Sequence, residues 1–192
     1  MTAAPTTPNV TQVRAALTGN VKVALLGTAV PTDVTSAWAA GWIDLGLVDD
    51  KGVTSSNKKS MNKVNGWQSP LPIRQLLKER DVIYKFAALQ LNYQTLALWW
   101  DAGSTTLSGG VYTLLSPIGA AITEWMMGIE WKDGTFTYRE ISQRGVFTDS
   151  ADLVREKGQV VLPGLTYECL PLDVTSTSPV TTLSNDPAMA SS

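Results

Sequence analysis

A long polar segment between two apolar strand patterns constrains the fold of this chain more than any other feature. The patterns occupy residues 42–48 and 81–91, and the segment between them covers 49–68. Connections of this length are uncommon inside a compact domain, where they are usually functional arms or disordered segments. The segment contains Trp67, a large side chain that needs an apolar surface to cover it. We therefore expect the polar segment 49–68 to be an arm that buries Trp67 against another molecule.

Composition and charge narrow the classes of function. The chain of 192 residues is long enough for one globular domain. A net charge of -2 argues against a protein built to grip nucleic acid, which would show a basic footprint. No apolar run reaches the ~18 residues of a membrane span, and the N-terminus lacks the pattern of a secretory signal. The single Cys169 excludes an internal disulfide and is expected to be a small buried hydrophobe beside Tyr167.

Histidine is absent from the sequence, which removes the commonest general acid–base residue and transition-metal ligand. Ser-His-Asp, Cys-His and histidine-based zinc or iron sites are therefore excluded. The carboxylate pairs Asp49 with Asp50 and Asp149 with Asp152 have the character of solvated turn residues. The Ser-x-x-Lys spacing at Ser56 lacks the companion motifs of penicillin-binding enzymes. We expect no catalytic residue, no metal site, no cofactor and no enzymatic activity.

The hydrophobic patterning predicts a mainly β protein. Residues 21–26 form a strand pattern after an expected turn at 18–20, and a short helical turn is expected at 33–38. In the strand 81–91, apolar residues occupy both faces, as in the middle of a packed sheet.

One helix is expected directly after that strand. Asn92 is a favourable N-cap residue for a helix over 93–100, and Gly103 is expected to stop it. The apolar residues that fall at helical spacing and should pack on the sheet are Leu96, Trp99 and Trp100.

The second half of the chain carries a clear hairpin signal. Residues 123–131 alternate, so that the odd-numbered side chains should be buried and the even-numbered ones should mostly face solvent. The Asp133-Gly134 turn suits a tight hairpin that returns along 136–141. Strands at 160–162 and 165–172 are expected to complete the domain.

Three regions follow from these patterns. They are an N-terminal arm at 1–19, a β-rich body at 20–173, and an extension at 174–192 whose Ser, Thr and Pro content suggests disorder in isolation.

The order of elements resembles the major tail tube proteins of long-tailed, siphovirus-type bacteriophages, especially those that infect actinobacteria. The resemblance covers roughly residues 9–172 and rests on the order of several short motifs along the chain. These motifs are Ala15 and Leu17 with Thr18-Gly19 before the first strand, 27–33, 42–46, 50–54, Asn65-Gly66-Trp67-Gln68, the helix at 93–100 and the strand at 165–168.

The resemblance implies a fold of two packed antiparallel sheets, a tail-tube β-sandwich or partly open barrel, with a flanking short α-helix and a long inter-strand arm. It implies that six copies form a ring and that rings stack into a hollow tube, through which DNA passes as a transient cargo. The implied partners are other copies, the tape-measure protein, the tail terminator and the distal tail proteins, without membrane insertion. The implied location is the virion tail, after synthesis in the host cytoplasm.

Two sets of residues follow from the resemblance and the charge pattern. The inter-subunit arm is expected to act through Asp50, Lys51, Lys58, Lys59, Met61, Lys63 and Trp67. The candidates for an acidic lumen lining, which would repel DNA phosphates, are Glu124, Glu130 and Glu140.

Other classes of function remain open at this stage. A carbohydrate-binding β-sandwich would need exposed aromatic side chains along a groove, and Trp67, Trp99 and Trp100 are its candidates. Another virion protein, such as a decoration or tail-completion subunit, fits the same composition. A hydrolase that uses two carboxylates is a more distant third.

Overall fold

The computed structural model describes residues 8–101, 105–119 and 122–190. It is mainly β, with two antiparallel sheets and one short α-helix among the described residues. The predicted fold class is therefore confirmed. The elements are β1 (Thr18–Leu25), β2 (Ile43–Asp44), β3 (Val48–Asn65), β4 (Pro72–Ala88), α1 (Tyr93–Trp100), β5 (Thr106–Ser108), β6 (Val111–Thr113), β7 (Glu124–Asp133), β8 (Phe136–Ser150), β9 (Gly164–Cys169) and β10 (Thr181–Ser184).

The larger sheet has the strand order β2-β1-β7-β8-β9-β4-β3, and β10 lies beside the first half of β8. Strands β5 and β6 form the second sheet, a separate hairpin. Although β1 and β3 are far apart in the strand order, they contact each other. The larger sheet therefore curls towards closure and leaves a gap between these two strands.

Apolar side chains cover both faces of the curled sheet. On the inner face, side chains from β1, β4, β7 and β9 form the main core, and Leu98 of α1 packs against it. Tyr167 is fully buried there and donates a hydrogen bond to the Trp125 carbonyl at 2.9 Å. On the outer face, Trp42 and Met126 form a smaller core with Leu183 of β10.

The helix forms where the sequence predicts it. Asn92 accepts a hydrogen bond from the Thr95 amide at 3.0 Å, and the Thr95 hydroxyl accepts one from the Asn92 amide at 3.1 Å, which completes a capping box. Asp101 ends the helix in the left-handed conformation; Gly103, the predicted stop, lies outside the described residues. The predicted packing stripe is partly wrong, since Thr95 and Leu98 are the buried side chains and Trp100 is exposed.

The hairpin of β7 and β8 is also confirmed, with Gly134 in the left-handed region at the turn. The prediction of a solvent-facing second side is wrong for Met126 and Gly128, which are buried. The outer core explains the difference, because Trp38 and Trp42 pack directly over Gly128 and leave no space for a side chain.

The strand expected at 42–48 is mostly absent, since only Ile43 and Asp44 pair with β1. The Asp44 carboxylate accepts a hydrogen bond from the Gly46 amide at 2.9 Å, and Gly46 adopts a φ of 84°, so the chain turns there. The turn expected at 18–20 is instead part of β1, and Gly19 allows close approach to the Glu130 carbonyl.

The helical turn expected at 33–38 is a series of bends. The Asp33 carboxylate accepts hydrogen bonds from the amides of Thr35 and Ser36, both at 2.6 Å, and they lower its pKa to about 2. Arg139 Nη1 donates to the carbonyls of Asp33 and Ser36, both at 2.8 Å, so these oxygens bind a side chain from the sheet and do not start a helix.

Two further strand predictions need correction. Residues 160–162 lie outside any strand, and the neighbouring Pro163 uses its carbonyl to accept from the Ala88 amide at 3.0 Å. Strand β4 ends at Ala88, so Leu89 and Leu91 are exposed side chains beyond the sheet.

Candidate assembly interface

The polar segment 49–68 is built as one half of a long β-hairpin. Strand β3 pairs with β4 from Val48 to Asn65, whereas β4 pairs with β9 only over Ile83–Ala87. Beyond that point no other described strand lies beside the hairpin. We call residues 57–82 the hairpin arm. At about 3.3 Å per residue it extends roughly 30 Å from the body.

Trp67 lies in the turn at the tip of the hairpin arm, and 99% of its side chain is exposed. The exposed side chains of Leu71 and Ile73 are close to it in sequence on the return to β4. An exposed apolar surface of this kind is typical of a protein–protein contact. The expectation that Trp67 is buried against another molecule stays a prediction, and nothing within the described chain covers this side chain.

The hairpin arm is also cationic. It carries six Lys and Arg residues and two Asp and Glu residues, a net charge of +4, while the whole chain has a net charge of -2. Lys59 and Arg80 are cross-strand partners, so two like charges lie side by side on one face. Such a pair destabilises an isolated hairpin. An anionic partner would relieve this repulsion.

The predicted arm residues divide into two groups. Asp50 and Lys51 lie at the root, next to the irregular pairing between Val48 and Val53, where Gly52 adopts a φ of 63°. The second group lies in the hairpin arm itself and consists of Lys58, Lys59, Met61, Lys63 and Trp67. The side chains of all seven predicted arm residues are exposed. Their role in assembly stays a prediction.

The three predicted lumen carboxylates lie on both faces of the sheet. Glu130 pairs with Arg139 and Glu140 pairs with Ile129, so the two glutamates point to opposite faces. Glu124 accepts from Arg144 at 2.7 Å and 2.9 Å, which lowers the pKa of Glu124. Their lumen-facing role stays a prediction, and one surface cannot hold both Glu130 and Glu140.

Glu130 and Glu140 also have internal partners. Burial alone would raise the pKa of Glu130, but hydrogen bonds from Trp38 at 3.0 Å and Arg139 at 2.8 Å lower it overall. Glu140 accepts from the Tyr84 hydroxyl at 2.8 Å on the inner face. Burial, together with the charge of Glu140, raises the pKa of Tyr84. Tyr84 therefore stays protonated as a hydrogen-bond donor at neutral pH.

Trp99 and Trp100, the other two candidates for binding a carbohydrate, lie in α1 and not in the hairpin arm. Trp99 and Trp100 make an edge-to-face contact with ring centroids 4.5 Å apart. Trp99 donates to the Ala151 carbonyl at 3.0 Å and packs against the main core, while 45% of Trp100 is exposed. Core packing therefore accounts for Trp99.

The described part of the chain contains few groups that could bind a metal ion or act as a nucleophile. No cluster of three or more His, Cys, Asp and Glu residues there is arranged to hold a metal ion. Cys169 is buried in the main core as predicted, and burial raises the pKa of its thiol to about 11. Among the described residues, no helix has the length and apolar character to cross a membrane.

Sequence reasoning missed a contact that holds the two ends of the chain together. Arg14 donates to Asp186 from Nε at 2.5 Å and from Nη2 at 2.9 Å, and Tyr138 also donates to this carboxylate. In the extension 174–192, β10 pairs with β8 over Tyr138–Ile141. The extension is therefore anchored at residues 181–190; the predicted domain boundaries stay predictions. The sequence gives little indication of strand β10, because Leu183 is the sole large apolar residue in it.

A curled β-sheet with a cationic, apolar-tipped hairpin arm indicates a protein built for contacts with other proteins. A model of the phage tail tube protein family matches residues 6–192. The chain belongs to this family and is a structural component of a bacteriophage tail tube. The match runs through the extension, beyond the 9–172 expected from the sequence motifs. A search of curated proteins finds no significant match.

Proposed function

We propose that six copies of this chain form a ring and that the rings stack into the hollow tail tube of a siphovirus-type phage of actinobacteria. The tube then serves as the conduit through which genomic DNA leaves the virion. Repeated head-to-tail contacts close into a ring when the rotation between neighbours is right, and a second contact along the axis produces a filament.

The exposed Trp67 at the tip of the hairpin arm is the observation that carries this proposal. A free two-stranded hairpin is marginally stable in water, and an exposed tryptophan at its end has no function within the monomer. In the assembly, the hairpin arm contacts a neighbouring subunit and Trp67 becomes a buried anchor. The other residues that contact the neighbouring subunit in this interface are Asp50, Lys51, Lys58, Lys59, Met61 and Lys63.

The net negative charge outside the hairpin arm supports passage of DNA without retention. A basic lumen would bind phosphates and slow the genome, whereas an acidic or neutral one repels them. Glu124, Glu130 and Glu140 remain the candidates for its lining, and because Glu130 and Glu140 lie on opposite faces of the sheet, only one of these two can line it. DNA is a cargo in this proposal and the chain has no catalytic activity.

The remaining partners are the tape-measure protein inside the tube, the tail terminator and the distal tail proteins. The chain is made in the cytoplasm of the host bacterium and then incorporated into the virion.

Negative-stain electron microscopy of the purified protein across a concentration series tests the proposal. Hollow filaments or six-fold rings are expected for the unaltered chain, and Trp67→Ala should impair their formation. Trp100→Ala is the matched control, because it removes the same type of exposed side chain outside the hairpin arm.

Two results would contradict the proposal. One is a protein that stays monomeric at every concentration and binds glycans with saturable affinity, which would favour a carbohydrate-binding module. The other is an assembly of different symmetry, such as a trimer, which would favour a decoration or tail-completion subunit.

A further inference from the structure

The gap between β1 and β3 forms a groove of about 410 Å³ on the inner face of the sheet. One wall consists of Leu17–Val21, and Ile129 and Trp131 form part of the floor. The other wall consists of Val48, Asp49, Asp50, Gly52, Val53 and Ser55. Apolar side chains line its centre, and Leu17 is largely exposed at its edge. We call this surface the root groove, since it lies at the root of the hairpin arm.

The rim of the root groove is acidic. Asp49, Asp50 and Glu140 line it. Six ion pairs occur in the described part of the chain, and none of them includes these three carboxylates. Glu140 receives hydrogen bonds from Tyr84 and Trp131 but no cation neutralises it. The groove therefore presents negative charge around an apolar floor.

The hairpin arm presents the complementary surface. Lys59, Met61 and Lys63 alternate along β3 on the same side as Ser55, which is paired with Tyr84 of the main core. This face of the hairpin arm combines cations with exposed apolar side chains, and Trp67 lies at its end. Of the six cations in the hairpin arm, only Lys78 forms an ion pair within the described residues. The residues outside the hairpin arm carry a net charge of -6, given +4 on the hairpin arm and -2 on the whole chain.

We infer that the root groove of one copy binds the tip of the hairpin arm of a second copy, with Trp67 over the apolar floor and Lys63 beside the acidic rim. This inference rests on the proposed function and identifies the receiving surface for the hairpin arm.

The geometry requires that the two surfaces belong to different copies. Val53 and Ser55 line the root groove, and Trp67 lies twelve positions beyond Ser55, about 40 Å away at the rise of an extended strand. Because β3 and β4 are paired along the hairpin arm, its tip cannot fold back over that distance to the groove of the same copy. A copy displaced along the hairpin arm receives the tip at its own groove, and repetition of this heterologous contact produces an open filament.

Disulfide cross-linking between two single-site variants tests the inference. Gln68→Cys places a thiol at the tip and Ser55→Cys places one in the groove, at exposed positions. The native Cys169 is buried and stays in both proteins. When the two variants are co-assembled and oxidised, a covalent dimer is expected. A mixture of Gln68→Cys with Thr148→Cys, an exposed position on β8, gives the background rate.

Charge reversal adds a second readout. Asp49→Lys with Asp50→Lys in the groove partner should lower cross-linking about tenfold, because like charges then meet at the rim. Lys63→Glu in the tip partner should restore part of it. Asp149→Lys with Asp152→Lys, an exposed acidic pair elsewhere, should have no effect.

The outcomes separate this inference from the proposed function. Filaments that form while Ser55→Cys cross-links no faster than Thr148→Cys would overturn the groove contact and leave the tube intact. Cross-linking that duplex DNA abolishes, with DNA bound to the hairpin arm, would assign its charge to nucleic acid and overturn the inference. Absence of any filament of the unaltered chain would overturn both.

Discussion

Arg14 and Asp186 are separated by 172 positions in sequence and form a two-point ion pair. The Arg14 guanidinium also lies over the ring of Phe136, with its central carbon 4.4 Å from the centroid. The Asp186 side chain is almost fully buried and accepts further hydrogen bonds from Tyr138 and from the Ala188 amide. This carboxylate therefore connects the N-terminal segment, the second strand of the hairpin β7–β8 and the segment that follows β10.

Asp186→Asn should lower the melting temperature and speed amide exchange in β10. The hydrogen bond from Arg14, helped by those from Tyr138 and the Ala188 amide, holds the pKa of Asp186 well below its usual range. A carboxyl whose pKa is lowered on folding stabilises the protein at pH values above its unfolded pKa of about 3.9. This stabilisation is lost as the pH falls towards the pKa of the folded state. Between about pH 5 and pH 2 the unaltered chain should therefore lose stability more steeply than Asp186→Asn.

Thermal unfolding at several pH values checks this prediction. Asp149→Asn is the matched control, because Asp149 is exposed and forms no ion pair within the described residues. Equal pH profiles for Asp186→Asn and the unaltered chain would show that this carboxylate does not couple folding to protonation.

Such long-range contacts mark the limit of what the sequence predicts. The helix at 93–100 and the hairpin at Asp133-Gly134 were predictable because a cap or a turn residue lies next to the element it starts. The hairpin arm was predictable as an arm but not as two strands, because both of its faces are exposed and its apolar side chains do not alternate regularly with polar ones. Bends at 33–38 replace a helix because Arg139, distant in sequence, binds their carbonyls.

The same difference between local features and long-range contacts applies to the candidate assembly interface. Trp67 and its lysines were identifiable as residue types that need a partner, which is a local property. The root groove was not, since it exists only where β1 meets β3 across the curled sheet.

Gly145→Ala should destabilise the protein by about 3 kcal/mol, at the upper end of ordinary overpacking. A methyl group at this position would lie 2.4 Å from the Glu168 carbonyl and 2.4 Å from the ring of Tyr167, which is fully buried. Neither group has space to move without disturbing the pairing of β8 and β9. Chemical denaturation measures the change.

Gly119→Ala is the control for this substitution, because no atom of the described residues, apart from its chain neighbours, lies within 4 Å of the added carbon. It should change the free energy of unfolding by less than about 0.5 kcal/mol. Similar values for both variants would contradict the close packing of Tyr167 against Gly145.

Cys169 should resist thiol reagents in the folded protein at pH 8. Burial raises the pKa of its thiol to about 11, so the reactive thiolate is scarce and enclosed. A colorimetric disulfide reagent should titrate less than one tenth of the thiol before denaturant is added and the full amount afterwards. Rapid reaction of the native protein would contradict the packing of β9 in the main core.

Lys59→Glu should stabilise the free hairpin arm while it weakens assembly. The substitution converts the Lys59–Arg80 pair from two like charges into an attractive pair, worth about 0.5 kcal/mol in a cross-strand position. Amides of the hairpin arm in the monomer should therefore exchange about twofold more slowly. Filament formation should become weaker in the same variant, because a cation is lost from the face of the hairpin arm that contacts the neighbouring subunit.

Lys58→Glu is the control that reverses the first effect. Lys58 is the cross-strand partner of Asp81, so the substitution places two carboxylates side by side and should speed amide exchange in the hairpin arm. Lys58 lies on the opposite face from Lys59, so this variant should impair assembly less. If Lys59→Glu slowed exchange and also strengthened assembly, the cationic face would not be the one that contacts the neighbouring subunit.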